Sequence, residues 1–467
     1  VRLSPSGLDL GGAAALPLWA GAMHYWRHSP EEWRAGLEAI RSMGLRLVDT
    51  TVPLGLHETA PGQYDFGERN PALDVARFIG MAQDVGLHCI LRLGPRVDAD
   101  LAFFGLPECI VWDPKCQEVT PGGRPIVLPA LPIASPVPNH LSKVFTGEVT
   151  RWLRSVRAKL SHLRWPDGPI VLVESESVRM LREAGFDGLP VIRRAPGRGT
   201  ATRSERGRSR DSDLPIVTLR HRATRADHFT ILRRTTEIVS VCVGREKPPF
   251  ADVGAGFSPL SSLRDGHDSL YALMCGLAYG LRGFSLHMAV ERDRWIGAPI
   301  DRAGRLRPLG GRCARMLGAL DRLNFHTLRR RAPVCLMMPH ALRPRATDAF
   351  GAIVPRLLRD AGWEEAAIAR NLGLSARSAV AAEEYLRYFA RSLHERGVPF
   401  GFEADDVEVA DRANDATWVI CATPGRLKPA TLRRLRLARK GGALVTVGPL
   451  APRRGPDLRG FEVEPLG

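Results

Sequence analysis

Short apolar runs alternate along the chain with segments whose apolar residues recur every three to four positions. The first run covers residues 16–25, and Trp33, Leu37 and Ile40 then recur at helical spacing before Gly44 ends the helix. The same alternation returns at seven later runs, at residues 45–52, 87–94, 169–175, 189–194, 213–221, 248–257 and 283–290. Eight strand–helix units within residues 1–328 predict an α/β fold of one kind, a closed (β/α)8 barrel.

The pattern restarts after residue 330 and predicts a second, smaller domain over residues 329–467. Apolar strand runs at 332–340, 399–405, 417–424 and 443–450 alternate with helical patterns at 383–397 and 429–442. This order is typical of an open, mostly parallel α/β sheet of flavodoxin-like type. Because no G-x-G-x-x-G follows a strand, we do not expect a dinucleotide site there.

The chain is strongly basic, with a net charge of +16, and all but six of its 66 basic residues are Arg. Residues 193–210 hold seven Arg and one Glu, which is the composition of a segment that contacts nucleic acid. The segment has no aromatic residue for base stacking, and the other Arg residues are scattered rather than clustered. We therefore interpret it as a loop and expect no nucleic-acid partner.

The spacing of the Cys residues and the length of the apolar runs predict where in the cell the protein is located. The eight Cys residues have no C-x-x-C spacing, so they predict buried thiols in a reducing compartment and no zinc site. No apolar run approaches the roughly 18 residues of a membrane span, and residues 1–12 lack the apolar core of a secretory signal. The expectation is a cytoplasmic protein without a membrane partner.

Carboxylates follow two strands that lie opposite one another in a barrel. Glu174 and Glu176 end the fourth strand, and Asp252 lies on the seventh. Two opposed carboxylates are what glycoside hydrolysis needs, since one protonates the leaving oxygen and the other attacks the anomeric carbon or activates water. The alternative is that Glu174 and Glu176 are rim charges paired with local Arg and that Asp252 has a capping or hydrogen-bonding role. Other polar or aromatic residues at strand ends would shape a sugar site or pack in the barrel, namely Tyr25, His57, Glu58, Asp98, Asp100, His287 and Trp295.

Several segments resemble glycoside hydrolase family 35, the β-galactosidase type. The resemblance covers GAMHYWRHSPEEWRAGLEAIRSMG and its continuation to residue 66, residues 73–108 with LRLGPR, GPIVLVESES, ADVGAGF, and residues 283–301. It implies a barrel enzyme that hydrolyses terminal β-linked galactose or a related sugar, with carboxylates alone and no cofactor. It also implies Glu176 as acid/base and Asp252, in place of a Glu, as nucleophile.

The chain departs from the family at several positions of the sugar site. Thr51 and Arg96 fall where the family has Tyr, and Leu54 where it has Trp. On the fourth strand Glu176 takes the acid/base position only with a two-residue deletion, because without a gap that position falls at Val178. These departures leave an alternative, a catalytically impaired barrel that binds carbohydrate or acts as a scaffold.

The second domain resembles the glutamine-amidotransferase-like domains that follow the barrel in related β-galactosidases. That resemblance implies an accessory role for residues 329–467 and a possible contact between copies of the chain through them.

Overall fold

A computed structural model describes most of the chain. The described residues are 1–97, 99–119, 122–128, 135–194, 213–243, 246–259, 263–338, 377–404 and 416–454. They form two compact units. The first contains Val1–Ala223, Pro248–Met274 and Leu281–Leu328, and the second contains Thr224–Lys247, Cys275–Gly280 and the described residues from Arg329 onward.

The first unit contains a closed barrel of eight parallel strands, which confirms the predicted (β/α)8 architecture. The barrel strands are β3 (Trp19–Ala22), β4 (Leu47–Thr51), β7 (His88–Arg92), β10 (Ile170–Glu174), β11 (Val191–Arg194), β12 (Asp213–Leu219), β13 (Phe250–Gly254) and β14 (Gly283–His287). β14 pairs with β3 and so closes the barrel, with Ser285 beside Ala20. The described part of the Arg-rich segment is limited to residues 193 and 194, so the prediction of a loop lies almost entirely outside the described residues.

Helices and short strands precede, separate and follow these eight strands along the sequence. The helices are α1 (Pro30–Ser42), α2 (Leu54–His57), α3 (Val75–Val85), α4 (Glu108–Val111), α5 (Lys143–Leu160), α6 (Val178–Glu183), α7 (Arg225–Val243), α8 (Gly266–Ala278) and α9 (Pro308–Arg322). The short strands form three antiparallel pairs, β1 (Arg2–Ser4) with β2 (Gly7–Asp9), β5 (Glu58–Ala60) with β6 (Gln63–Tyr64), and β8 (Val127–Leu128) with β9 (Ser135–Pro136).

Local sequence explains where α1 begins and where α3 ends. At the start of α1, the Glu32 carboxylate accepts a hydrogen bond from the Ser29 backbone N–H at 3.0 Å, which satisfies an otherwise unpaired donor. α3 ends at Gly86, whose φ of +80° is left-handed and therefore favours glycine.

The barrel interior changes from apolar to charged along each strand. Ala20, Leu47, Ile90, Leu172 and Phe250 belong to one buried apolar cluster. On four of these strands a buried polar side chain follows two residues later, namely Asp49, Arg92, Glu174 and Asp252. A fifth, Ser285, lies on β14, the neighbour of β3. Since side chains alternate between the two faces of a strand, both sets point inward, and the charged set lies nearer the carboxyl ends.

The second unit is built on a four-stranded parallel sheet. Its strands, in the order β16-β15-β17-β18, are β15 (Val334–Met338), β16 (Phe400–Ala404), β17 (Trp418–Arg426) and β18 (Leu444–Arg454), and its helices include α7, α10 (Arg377–Glu395) and α11 (Pro429–Lys440). Leu336 and Ile420 pack on one face of the sheet, with Leu386 of α10, while Met337 and Cys421 pack on the other, with Leu435 of α11. The flavodoxin-like and accessory assignments of this part of the chain stay predictions.

Among the described residues, no helix has both the length and the apolar character needed to cross a bilayer.

Candidate active site

Arg92 is the centre of a buried charge cluster inside the barrel. Its guanidinium contacts Asp49 with Nε at 2.7 Å and Nη2 at 2.5 Å, Glu174 with Nη1 at 2.5 Å, and Asp252 with Nη1 at 3.0 Å and Nη2 at 2.5 Å. Burial alone lowers the pKa of Arg92, but the three carboxylates outweigh it and hold that pKa well above its usual value. A guanidinium is the one side chain that can donate to three carboxylates in this planar arrangement.

Asp49 anchors the guanidinium from the opposite side. It lies on β4 and accepts a second hydrogen bond from the Ser285 hydroxyl of β14 at 2.6 Å. The Asp49 carboxylate therefore ties Arg92 to β14 as well as to β4, and Arg92 in turn holds the side chains of β10 and β13.

The contacts of Arg92 also bound the distance between two buried carboxylates. One oxygen of Glu174 and one of Asp252 lie 2.5 and 3.0 Å from the same Arg92 nitrogen, so these two oxygens are at most 5.5 Å apart. Arg92 therefore brings the side chains of β10 and β13 together inside the barrel.

Glu176 lies two residues beyond the end of β10 and has a different set of partners. Arg96 Nε donates to both of its oxygens, at 3.0 and 3.1 Å, and His140 Nε2 lies 3.7 Å from one of them. Its backbone N–H donates to the Gly94 carbonyl at 3.0 Å, which joins it to the segment after β7. Glu176 is more accessible than Asp252, with 22% of its side chain exposed against 3%.

Tyr25 and His57 are both buried and are joined by a hydrogen bond. The Tyr25 hydroxyl lies 2.6 Å from His57 Nε2, and His57 Nδ1 lies 2.7 Å from the Asp65 carbonyl, so the tautomer with hydrogen on Nδ1 satisfies both contacts. Phe66 and Trp152 pack against the imidazole. Burial lowers the pKa of His57 to about 4. Both side chains are fully buried, so the structure brings these two predicted sugar contacts together in an aromatic core.

His287 and Trp295 belong to an aromatic row after β3 and β14. His287 packs edge-on against Trp295 at 4.9 Å between ring centroids and against His24 at 5.7 Å, and His24 stacks on Trp26 at 5.4 Å. Burial, together with the nearby charge of Arg292, lowers the pKa of His24 well below its usual value. These imidazole and indole rings give this part of the barrel an aromatic wall.

Three further predicted contacts are acidic. Asp100 accepts a hydrogen bond from Arg292 at 2.9 Å and has a left-handed φ of +54°, which strains a residue that is not glycine. Glu58 accepts from the Gly62 backbone at 3.0 Å. Asp98 lies outside the described residues.

The charge cluster contains residues that sequence reasoning did not select. Asp49 and Ser285 were not chosen as contacts of the carboxylates, and Arg96 and His140 were not chosen as partners of Glu176. A signal did exist for Asp49, because it is a charged residue inside an apolar strand run, LVDTTV. Such residues are almost never fully buried without a partner.

Comparison with known proteins agrees with this barrel. The model of Glycosyl hydrolases family 35 matches residues 12–178, which include Arg92, Glu174 and Glu176. Residues 12–178 are therefore similar to glycosyl hydrolases family 35. Beta-galactosidase-1-like protein 2 of Homo sapiens is 37% identical over 97 residues, 21% of this chain and 15% of that protein. Beta-galactosidase of Mus musculus is 31% identical over 160 residues, 34% of this chain and 21% of that protein.

These matches are partial. The matched segments span only 14–21% of the relatives' own length. The match to the family model ends at residue 178, before β13, so it does not reach Asp252.

Solved structures resemble the chain over more of its length. A beta-galactosidase from Rahnella sp. R3 superposes with a TM-score of 0.64 at 10% identity, covering 100% of this chain and 75% of that one. An exo-beta-1,4-mannosidase from Opitutaceae bacterium strain TAV5 superposes with a TM-score of 0.61 at 10% identity, covering 100% and 81%. At such identities the likeness shows the fold alone.

Proposed function

We propose that this barrel is a family 35 enzyme that hydrolyses a terminal β-linked galactose or a related sugar, with Glu176 as general acid/base and Asp252 as nucleophile. The observation that carries the proposal is that Asp252 of β13 and Glu176, two residues beyond the end of β10, are each held by an Arg at or just beyond the end of β7. Catalytic groups of (β/α)8 enzymes come from this end of the strands.

In this mechanism an oxygen of Asp252 attacks the anomeric carbon while Glu176 gives a proton to the leaving oxygen. Water then cleaves the glycosyl–enzyme bond, and Glu176 takes the proton from that water. Arg92 fixes the orientation of Asp252, and the row of His24, His287 and Trp295 supplies an aromatic face for the sugar ring.

A second candidate function is sugar binding without hydrolysis. It is favoured by the way in which Arg contacts occupy the oxygens of the proposed pair. Arg92 donates to both oxygens of Asp252, and Arg96 donates to both oxygens of Glu176. Attack and proton transfer each need one of these oxygens to turn toward the substrate.

Hydrolysis of 2,4-dinitrophenyl β-D-galactoside separates the two functions. This leaving group needs little protonation, so an obstructed acid does not conceal a working nucleophile. We expect turnover by the unaltered protein, its loss in Asp252→Ala, and its retention in Asp84→Ala, an exposed carboxylate of α3. Glu176→Ala should retain kcat/KM on this substrate, because formation of the glycosyl–enzyme needs no acid, but should lower kcat, because Glu176 also serves as the base for water. On methyl β-D-galactoside, whose leaving group requires the acid, the loss should be about 100–10,000-fold.

The negative results also discriminate. If folded protein turns over no activated β-glycoside in a panel of sugars but binds galactose calorimetrically, hydrolysis is refuted and sugar binding supported. If it neither cleaves nor binds any sugar in the panel, both candidates are wrong.

A further inference from the structure

A cleft of about 740 Å³ lies at the amino-terminal end of the barrel strands. Arg46, which precedes β4, and His88, which begins β7, both line it, and all of its lining residues belong to the first unit. About 13 Å of β7 separates His88 from Arg92, since a strand rises by about 3.3 Å per residue. The cleft is therefore distinct from the proposed sugar site, and its volume is within the range of about 300–1,000 Å³ that is typical of small-molecule sites.

The charged side chains of the cleft leave an excess of positive charge. Arg46 donates to Asp321 at 2.8 Å, so its charge is balanced. Arg41, in the last turn of α1, has neither a carboxylate within 4 Å nor a side-chain hydrogen bond among the described residues. Two guanidinium groups and one carboxylate thus give the lining residues a charge of +1. A cation also stabilises the last turn of a helix, so Arg41 alone does not indicate a ligand.

Two imidazoles in the cleft are a second, independent observation. His88 and His326 line it, and the Nδ1 of each is buried without a hydrogen-bond partner in the described part of the chain. His326 is only 9% exposed. Its ring packs edge-on against Trp19 at 6.2 Å, and the ring of His88 packs against Trp165 at 5.6 Å, but neither contact satisfies a nitrogen. Because buried polar groups are ordinarily hydrogen-bonded, a bound acceptor would explain both.

Each imidazole also lies near a guanidinium. Burial lowers the pKa of His88, and the charge of Arg41 lowers it further. Burial likewise lowers the pKa of His326, where Asp321 opposes this effect and Arg46 adds to it. The donors of the cleft are therefore close enough to one another to act on one anion.

The composition of the lining favours a phosphate that carries an organic group. A phosphate monoester has three terminal oxygens and a charge of about −1.5 to −2 at pH 7, which suits several donors better than the two oxygens of a carboxylate. Another part of the lining is apolar, with Leu10, Leu16 and Pro17. A free, hydrated ion has no use for such a surface, whereas an organic group would bury it.

We propose that this cleft binds a phosphate monoester of a small organic molecule. The phosphate accepts hydrogen bonds from Arg41, His88 and His326, and the organic group packs against the apolar part of the lining. This inference is independent of sugar hydrolysis, because none of these residues belongs to the site at the carboxyl ends of the strands.

Isothermal titration calorimetry on the whole chain tests the proposal. The probes are phenyl phosphate, inorganic phosphate and benzoate, each in physiological salt. The variants are Arg41→Gln, His326→Phe and a control, Arg34→Gln, which removes another exposed Arg of α1 about 10 Å along the helix. The two Arg variants have equal net charge, so a difference between them reports the cleft.

We expect phenyl phosphate to bind more tightly than inorganic phosphate or benzoate. Arg41→Gln should weaken its binding by on the order of tenfold or more, because a charge-assisted hydrogen bond is lost, and Arg34→Gln by less than about twofold, because salt screens that distance. His326→Phe keeps a ring against Trp19 but removes both nitrogens. It should weaken binding by on the order of tenfold and, without ligand, melt no lower than the unaltered protein. Arg41 is exposed, so its variant decides the test even if His326→Phe does not fold.

Four results would overturn the proposal. Folded protein that binds no phenyl phosphate at millimolar concentration would show that the cleft is not such a site. Equal losses in Arg41→Gln and Arg34→Gln would assign the binding to net charge. Benzoate that binds as tightly as phenyl phosphate would identify a carboxylate ligand, and inorganic phosphate that binds as tightly would identify the free ion.

Discussion

Replacing Arg92 by Met should destabilise the barrel more than any single surface substitution. Met preserves most of the side-chain volume but removes the cation shared by Asp49, Glu174 and Asp252, whose side chains are each less than a tenth exposed. The three carboxylates would then remain buried together without their common donor.

The magnitude can be worked from the contacts. Removing one partner of a buried ion pair costs about 3–5 kcal/mol, because the remaining charge loses its compensation. Glu174 and Asp252 oxygens within 5.5 Å would add a repulsion of about 3 kcal/mol at an effective dielectric constant of 20. Relaxation and water entry reduce the total, so we expect a loss on the order of 5 kcal/mol at pH 7.5.

Calorimetric melting measures this effect, since the barrel transition should fall by on the order of 10 °C. The matched control is Arg34→Met, which removes an Arg with two carboxylate neighbours at 3.6–3.7 Å but with 51% of its side chain exposed, and should change stability by less than about 1 kcal/mol. The difference in melting temperature between Arg92→Met and the unaltered protein should be smaller in acid, because protonation removes the carboxylate charges. An Arg92→Met barrel that melts within 2 °C of the unaltered protein at pH 7.5 would refute the reasoning.

Two further predictions concern the same barrel. Gly86→Ala should destabilise the barrel by about 1 kcal/mol, because the φ of Gly86 is +80°. Gly80→Ala, inside α3 with open space around the added methyl, should stabilise it by about 0.5–1 kcal/mol. Denaturant midpoints that shift in the same direction for both variants would contradict this pair of predictions. Burial lowers the pKa of His57 from 6.5 to about 4, so the folded state binds fewer protons and stability should fall by up to about 3 kcal/mol as the pH drops from 6.5 to 4. Because Gln does not titrate, the melting temperature of His57→Gln should depend less on pH between 6.5 and 4 than that of the unaltered protein. An equal pH dependence in both proteins would assign the slope to another group.

Periodicity was sufficient to predict the barrel and the order of its strands. The run at 87–94 contains His88–Arg92, and the run at 248–257 contains Phe250–Gly254. The ends were less well predicted. The run at 16–25 extends beyond Trp19–Ala22, because residues 23–25 remain apolar or aromatic and buried after the strand pairing stops.

The candidate site was predictable only in part. Carboxylates at strand ends mark Glu174, Glu176 and Asp252, and their position follows from side-chain alternation along a parallel strand. The partners of Glu176 did not follow from sequence. Arg96 contacts Glu176 across 80 residues of chain, and no local pattern indicates which of the chain's many Arg residues faces a given carboxylate.

The sequence by itself determined the barrel, because burial of alternating or helically spaced apolar residues is a local property that each segment displays on its own. Only the tertiary structure decided that Arg92 serves Asp49, Glu174 and Asp252 together, at separations of 43, 82 and 160 residues. Closing eight strands into a ring sets which inward side chains share a layer, and the energy of a buried charge depends on the neighbours in that layer.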